Sequence, residues 1–191
     1  SINGAATWTD LNVALDKVDD ANTISEVYRA QTDEVDADFL AVALEENKEI
    51  RVYFSTDGGT TFNDAGRVID NSDGYYLTLV SDLEISPEVA GKRDLAIFGE
   101  ADTSSGAGIF RCTVTGDVAS AWKDATQFNG WDDGTDYSSW IVVEGKFSPN
   151  YATDRTILVV TIADGYYVYL QSGSWPATPG TPGWNDKSTL G

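Results

Sequence analysis

No histidine occurs in this chain of 191 residues, cysteine occurs once, and basic residues are scarce, with 12 Lys and Arg against 31 Asp and Glu for a formal charge of -19. Each shortage excludes something. Without histidine the commonest general base and the commonest transition-metal ligand are both missing. A single cysteine, Cys112, forms no internal disulfide, and with neither a partner thiol nor a histidine to activate it the residue reads as a small buried hydrophobe. So few cations cannot easily build the basic surface that phosphate backbones need, which argues against nucleic acid and against an anionic membrane face. Phosphate loops of the G-x-x-x-x-G-K-[ST] type are missing too. No apolar run approaches the roughly 18 to 20 residues that span a bilayer, so no transmembrane segment is expected. The first residues lack a basic region followed by a hydrophobic one. The sequence begins at Ser1 instead of Met, as a processed mature protein or a piece of a longer one would.

Aromatic residues are abundant: six Trp, nine Tyr and seven Phe argue against a disordered acidic chain. The length suffices to bury a core without disulfide or metal, so no cofactor is required for folding. The acid surplus does attract cations, divalent ones such as Ca2+ among them. Apolar residues fall in short runs rich in Val, Ile, Tyr and Phe, bounded by Gly, Asp, Asn and Ser, a pattern that predicts strands and turns. The runs lie at 39–46, 49–54, 75–85, 94–101, 108–114, 139–147, 155–163 and 166–171. Within "EIRVYF", Ile50, Val52 and Phe54 share one face, and Arg51 and Tyr53 the other. One stretch, "WTDLNVALDKVDD", places Leu11, Ala14, Leu15 and Val18 at helical spacing and is equally compatible with a strand and a loop. The remainder reads as all-β.

The chain repeats itself. "FSPNYATDRTILVVT" (147–161) aligns without gaps on "ISPEVAGKRDLAIFG" (85–99), and "DFLAVAL" (38–44) sits where a third copy of the strand falls. A second repeated element is "STDGGTTF" (55–62). "TGDVASAW" (115–122) keeps a hydroxyl first, Asp117 third and Trp122 eighth; "SINGAATW" (1–8) keeps Ser1, Thr7 and Trp8 with Asn3 in the Asp position. Around 172–184 the element is expanded by a Pro-rich insertion and closes on Trp184. These anchors divide the chain into approximate repeats 9–62, 63–122 and 123–184.

The pattern S-x-D-x-G-x-T-[WF] resembles the Asp-box of BNR or sialidase-like β-propeller repeats, and the box at 55–62 is its intact copy. The resemblance implies a β-propeller of four-stranded antiparallel blades, about three of them plus part of a fourth, with each box as the turn between a blade's third and fourth strands. It implies a structural task for Ser55, Asp57, Gly59, Thr61 and Phe62, for Thr115, Asp117 and Trp122, and for Ser1, Asn3, Thr7 and Trp8. It also places such boxes away from the active-site face. The chemistry agrees: Asp57 is suited to accept hydrogen bonds from amides of its own turn, and Gly58 and Gly59 permit positive φ.

A sialidase also needs an arginine triad. Arginine occurs only at 29, 51, 67, 93, 111 and 155; Arg93 and Arg155 are equivalent repeat positions, and Arg51 and Arg111 lie in strands just before boxes. No catalytic trio stands out. "WDDGTDYSSW" (131–140) is the most unusual loop: Asp132, Asp133 and Asp136 suit either a solvated acidic turn or a Ca2+ site, without EF-hand spacing, and Trp131 and Tyr137 suit a sugar-stacking platform. "TDEVDAD" (32–38) is a second acidic loop with the same two readings. The expected function is a non-catalytic, extracellular or cell-surface structural or interaction module. Protein partners or self-association would complete the ring, since a propeller takes about four to eight blades. A glycan-binding or glycoside-cleaving propeller and a calcium-stabilised surface-layer or adhesion component are the alternatives.

Overall fold

A computed structural model describes residues 24–103, 106–131, 140–163, 167–175, 183–185 and 188–189. The stretch 8–20, and Ser1, Asn3, Thr7 and Trp8 with it, lies outside the described residues. The described chain is all-β and forms three antiparallel sheets in sequence order. The first holds β1 (Ile24–Thr32), β2 (Leu40–Glu46), β3 (Glu49–Ser55) and β4 (Asn63–Arg67) as a four-stranded meander. The second holds β5 (Leu77–Ile85), β6 (Lys92–Ala101), β7 (Ala107–Thr115) and a broken outer strand, β8 (Val118–Ala119) followed by β9 (Lys123–Asp124). In the third, β10 (Trp140–Phe147), β11 (Thr156–Ala163) and β12 (Tyr167–Ser174) are flanked by β13 (Gly183–Trp184) and β14 (Ser188–Thr189), which both pair with β12.

The sheets stack face to face because side chains alternate along each strand. Leu95 and Ile97 of β6 and Phe110, Cys112 and Val114 of β7 point into a core shared with Ala41, Ala43, Ile50, Val52 and Phe54 of the first sheet. Their neighbours Ala96, Phe98, Ala107 and Ile109 point into a second core shared with Val142, Phe147, Ile157 and Val159 of the third. The middle sheet is therefore buried on both faces, which is why "LAIFG" reads as an unbroken apolar run instead of an alternation. At the first interface β5 lies against β1, β2 and β3; at the second β10 lies against β5, β6 and β7.

One contact fixes the second interface in register. Gly145 of β10 has no side chain, and the fully buried ring of Phe98 occupies that space: a Cβ on Gly145 would overlap Cζ, Cε1 and Cε2 of the ring. Around this knob, Ser81 Oγ donates to the carbonyl of Val142, Gly145 N donates to Asp82 Oδ2 at 3.3 Å, and Lys146 pairs with Glu84.

Asp124 couples stability to pH. It is 1% exposed and accepts from Thr126 N at 2.9 Å and Thr126 Oγ1 at 2.7 Å, opening the 3-10 turn Ala125–Gln127. Burial pushes its carboxyl up to about 6 against these hydrogen bonds. The native state therefore holds a proton here that the unfolded chain gives up at an ordinary carboxylate pH, so stability falls as pH rises from about 4 to about 6. Two units correspond to on the order of 3 kcal/mol. Urea titrations from about pH 7 to pH 4 are expected to show stability rising as pH falls, and the difference between the parent and Asp124→Asn should change with pH between about 4 and about 6. A difference independent of pH would contradict the assignment. Nearby Asp70 has the opposite sign: burial opposes ionisation, yet hydrogen bonds from Ser72, Lys123 and the Asp124 amide hold it down to about 2, so its contribution is lost only in strong acid.

Candidate functional site

The turn at 55–62 is tied up within itself. Ser55 Oγ donates to Asp57 Oδ1 at 2.8 Å and accepts from the amides of Asp57 at 3.2 Å and Gly59 at 2.9 Å. Asp57 also accepts from Thr61 N on Oδ1 and from Thr61 Oγ1 on Oδ2, each at 2.8 Å, while its carbonyl accepts from Thr60 Oγ1 at 3.0 Å. The Thr61 amide, then its hydroxyl and that of Ser55, hold the Asp57 carboxyl below its usual range. Gly58 and Gly59 take φ of 70° and 84°, and the Gly58 amide reaches the Asp38 carbonyl of the β1–β2 loop at 2.9 Å. Phe62 closes the turn against Val42, Leu44 and Tyr53 on the outer face of the first sheet.

The element at 115–122 is built differently. Thr115 pairs with Val118 across a two-residue turn in which Gly116 has φ of 56°, and Asp117 accepts from Thr56 Oγ1 of the first element at 2.7 Å. Its aromatic is fixed like that of the next repeat. Trp122 Nε1 donates to the Ala65 carbonyl and Trp184 Nε1 to the Ala125 carbonyl, both at 2.8 Å, so donors 62 residues apart reach acceptors 60 apart. The Ser-Pro loops repeat as well: Ser86 N reaches the Asp94 carbonyl and Ser148 N the Thr156 carbonyl, each at 2.9 Å.

Trp131 is half-buried, with its ring edge-on to Trp184 at 5.0 Å between centroids. Asp132, Asp133, Asp136 and Tyr137 lie outside the described residues. In the other acidic loop, Asp33 and Asp36 each approach Arg93 at 2.7 Å, and Asp33 also receives the amides of Val35 and Asp36. Arg93 further pairs with Glu88 at 3.0 Å and lies over the Phe39 ring, 4.6 Å from its centroid. That guanidinium holds together the first two sheets. Among the described residues no group of three or more His, Cys, Asp and Glu converges on a point suited to a metal ion. No helix among them is long and apolar enough to cross a membrane.

Between the second and third sheets, at the end that carries the turns 55–62 and 115–122, lies a cavity of about 590 Å³. Lys92, Arg111 and Arg155 line it, with Asp94 as the single carboxylate among the described lining residues. Asp94 is buried at 4% exposure and saturated: Arg111 Nη2 reaches both its oxygens at 3.2 Å, Thr113 Oγ1 donates to Oδ1 and Tyr151 OH to Oδ2, each at 2.5 Å. Burial, reinforced by the Asp94 charge, pushes the Tyr151 hydroxyl up, so it stays a donor. Sequence reasoning placed Arg111 in a strand and Arg155 in a repeat position, and neither placement brings them together. A signal was present in the loop charges: where the β1–β2 loop reads "DEVDAD", the β5–β6 loop reads "SPEVAG" and leads into Lys92. Comparison of the chain with protein-family models, curated proteins and solved structures finds no match.

Proposed function

We propose that the three sheets are propeller-type blades of the Asp-box class and that the chain serves as a non-catalytic structural or interaction module at the cell surface or outside the cell. The observation that carries this reading is the turn at 55–62: the Ser55 hydroxyl, both Asp57 carboxylate oxygens and the Thr61 hydroxyl are engaged within the turn, which suits a folding element better than a reaction site. The offset of about 60 residues between equivalent tryptophan and Ser-Pro contacts supports successive copies of one unit. Three blades among the described residues, and three plus part of a fourth by sequence, are fewer than the four to eight or so that close a propeller, so the partners proposed are proteins, including further copies of this chain, that contribute blades.

The test is a screen of the purified chain against chromogenic sialosides and other glycosides, together with a glycan array and thermal melting in calcium and in chelator. The reading expects no turnover, no glycan retained and equal melting temperatures. Turnover abolished by changing one carboxylate would overturn it in favour of a glycosidase. Array binding lost in Trp131→Ala would replace it with a glycan-binding propeller, and a calcium-dependent melt with a calcium-stabilised surface component.

A further inference from the structure

We propose that the cavity between the second and third sheets binds an oxyanion, a carboxylate or a phosphate or sulfate ester, carried on a small organic body. This assignment stands independently of the propeller reading. It begins with charge. Twelve cations are spread over a chain with 31 acids, yet three of them line this one cavity against a single carboxylate among the described residues. That carboxylate, Asp94, is already occupied by Arg111, Thr113 and Tyr151.

The preceding sheet interface shows how the fold neutralises such a position. Arg93, the repeat equivalent of Arg155, is met by Asp33 and Asp36 from the loop of the neighbouring sheet and by Glu88. One repeat later Arg155 faces the β5–β6 loop, which offers Val89 and Ala90 to the cavity, with Lys92 at the start of β6, while Glu88 is held by Arg93. Among the described residues neither Arg155 nor Lys92 has a carboxylate within ion-pair distance, and the neighbour of the Arg155 guanidinium is the Tyr151 ring, 5.2 Å from centroid to Cζ. The two acids that complete the first interface have no counterpart here, and an anionic ligand supplies what they supply there. Arginine suits that role because its fixed fork of N–H groups matches the two oxygens of a carboxylate or phosphate.

Size and lining define the rest of the ligand. A volume of about 590 Å³ exceeds what a bare phosphate fills and falls in the range of sites for small organic molecules. Val89, Ala90, Val118 and Ala119 give it an apolar wall, and Val118 stands 69% exposed beside it. Thr115 adds a hydroxyl to the lining. The ligand is thus expected to put its charged group between Arg155, Lys92 and Arg111 and an apolar face against Val118.

The experiment is calorimetric titration of the full chain with phenyl phosphate, benzoate, inorganic phosphate and phenol at fixed ionic strength. Saturable one-to-one binding is expected for at least one of the two organic anions and none for phenol. Arg155→Gln and Lys92→Gln, which break no ion pair among the described residues, should each weaken it by about tenfold, the scale of one charge-assisted contact. Lys48→Gln, in the exposed β2–β3 turn at the opposite end, should leave it within about twofold. Unchanged circular dichroism would show that both cavity variants remain folded. The proposal is overturned if no probe saturates below about 10 mM, or if binding survives Arg155→Gln and Lys92→Gln undiminished. Inorganic phosphate binding as tightly as phenyl phosphate would overturn the organic-body assignment.

Discussion

Gly145→Val is expected to separate the third sheet from the second, with a loss of about 3 kcal/mol or more. The first atom added at that position overlaps the ring of Phe98, and the ring has nowhere to go, because it is fully buried within the core of the second interface. A flexible side chain at a surface yields to a new methyl group; a ring held in a close-packed core does not. The reciprocal change, Phe98→Ala, should cost about 3–5 kcal/mol by leaving a cavity opposite Gly145. Knob and hole are one contact, so the two changes should compensate: Gly145→Val with Phe98→Ala should be clearly more stable than the sum of the single losses predicts. Urea unfolding followed by tryptophan fluorescence measures all three. Strict additivity would show that the ring and the glycine do not meet.

Asp94→Ala carries the second large effect, a loss of about 3–5 kcal/mol. The cause is what remains behind. Arg111, whose side chain is 16% exposed, loses its one carboxylate, and the fully buried Tyr151 hydroxyl loses its acceptor, as does the Thr113 hydroxyl. Leaving a buried charge unpaired costs more than forming the pair contributes. Asp94→Asn keeps shape and one acceptor oxygen and should recover part of the loss, whereas Asp94→Ala with Arg111→Leu should recover more by removing the stranded charge. Denaturant titration of the three variants decides. Equal stability of Asp94→Ala and the parent would dismiss this carboxylate as a junction of the two sheets.

The strands that the sequence reveals are those whose faces are buried. β2, β3, β5, β6, β7, β10, β11 and β12 match the apolar runs within a few residues, since each carries buried apolar side chains. β1 was not legible because "ISEVYRAQT" is exposed along most of its length, Val27 to 56%, and its place rests on backbone pairing with β2. β4 escaped for a similar reason, as "NDAGR" has little apolar content and is positioned by β3 and by the Trp122 indole on the Ala65 carbonyl. The hydrogen bonds of the turn at 55–62 are local, so residue types within the sequence can encode them. The cavity was not legible. Its cations come from positions 92, 111 and 155, and their meeting depends on which sheet faces which, information that only the stacking supplies.

The middle sheet's burial on both faces has a consequence for how the molecule comes apart. Cores here are owned jointly by neighbours, so among the described residues the first and third sheets share neither of the two main ones, and their cooperation passes through the middle sheet, β5, β6 and β7. Such a stack behaves as a short linear array with nearest-neighbour coupling. An outer sheet can fray while the other pair persists, but melting of the centre releases both at once. Amide protons of β6 and β7 are therefore the ones whose exchange reports the global opening of the array, and those of exposed β1 report only its edge.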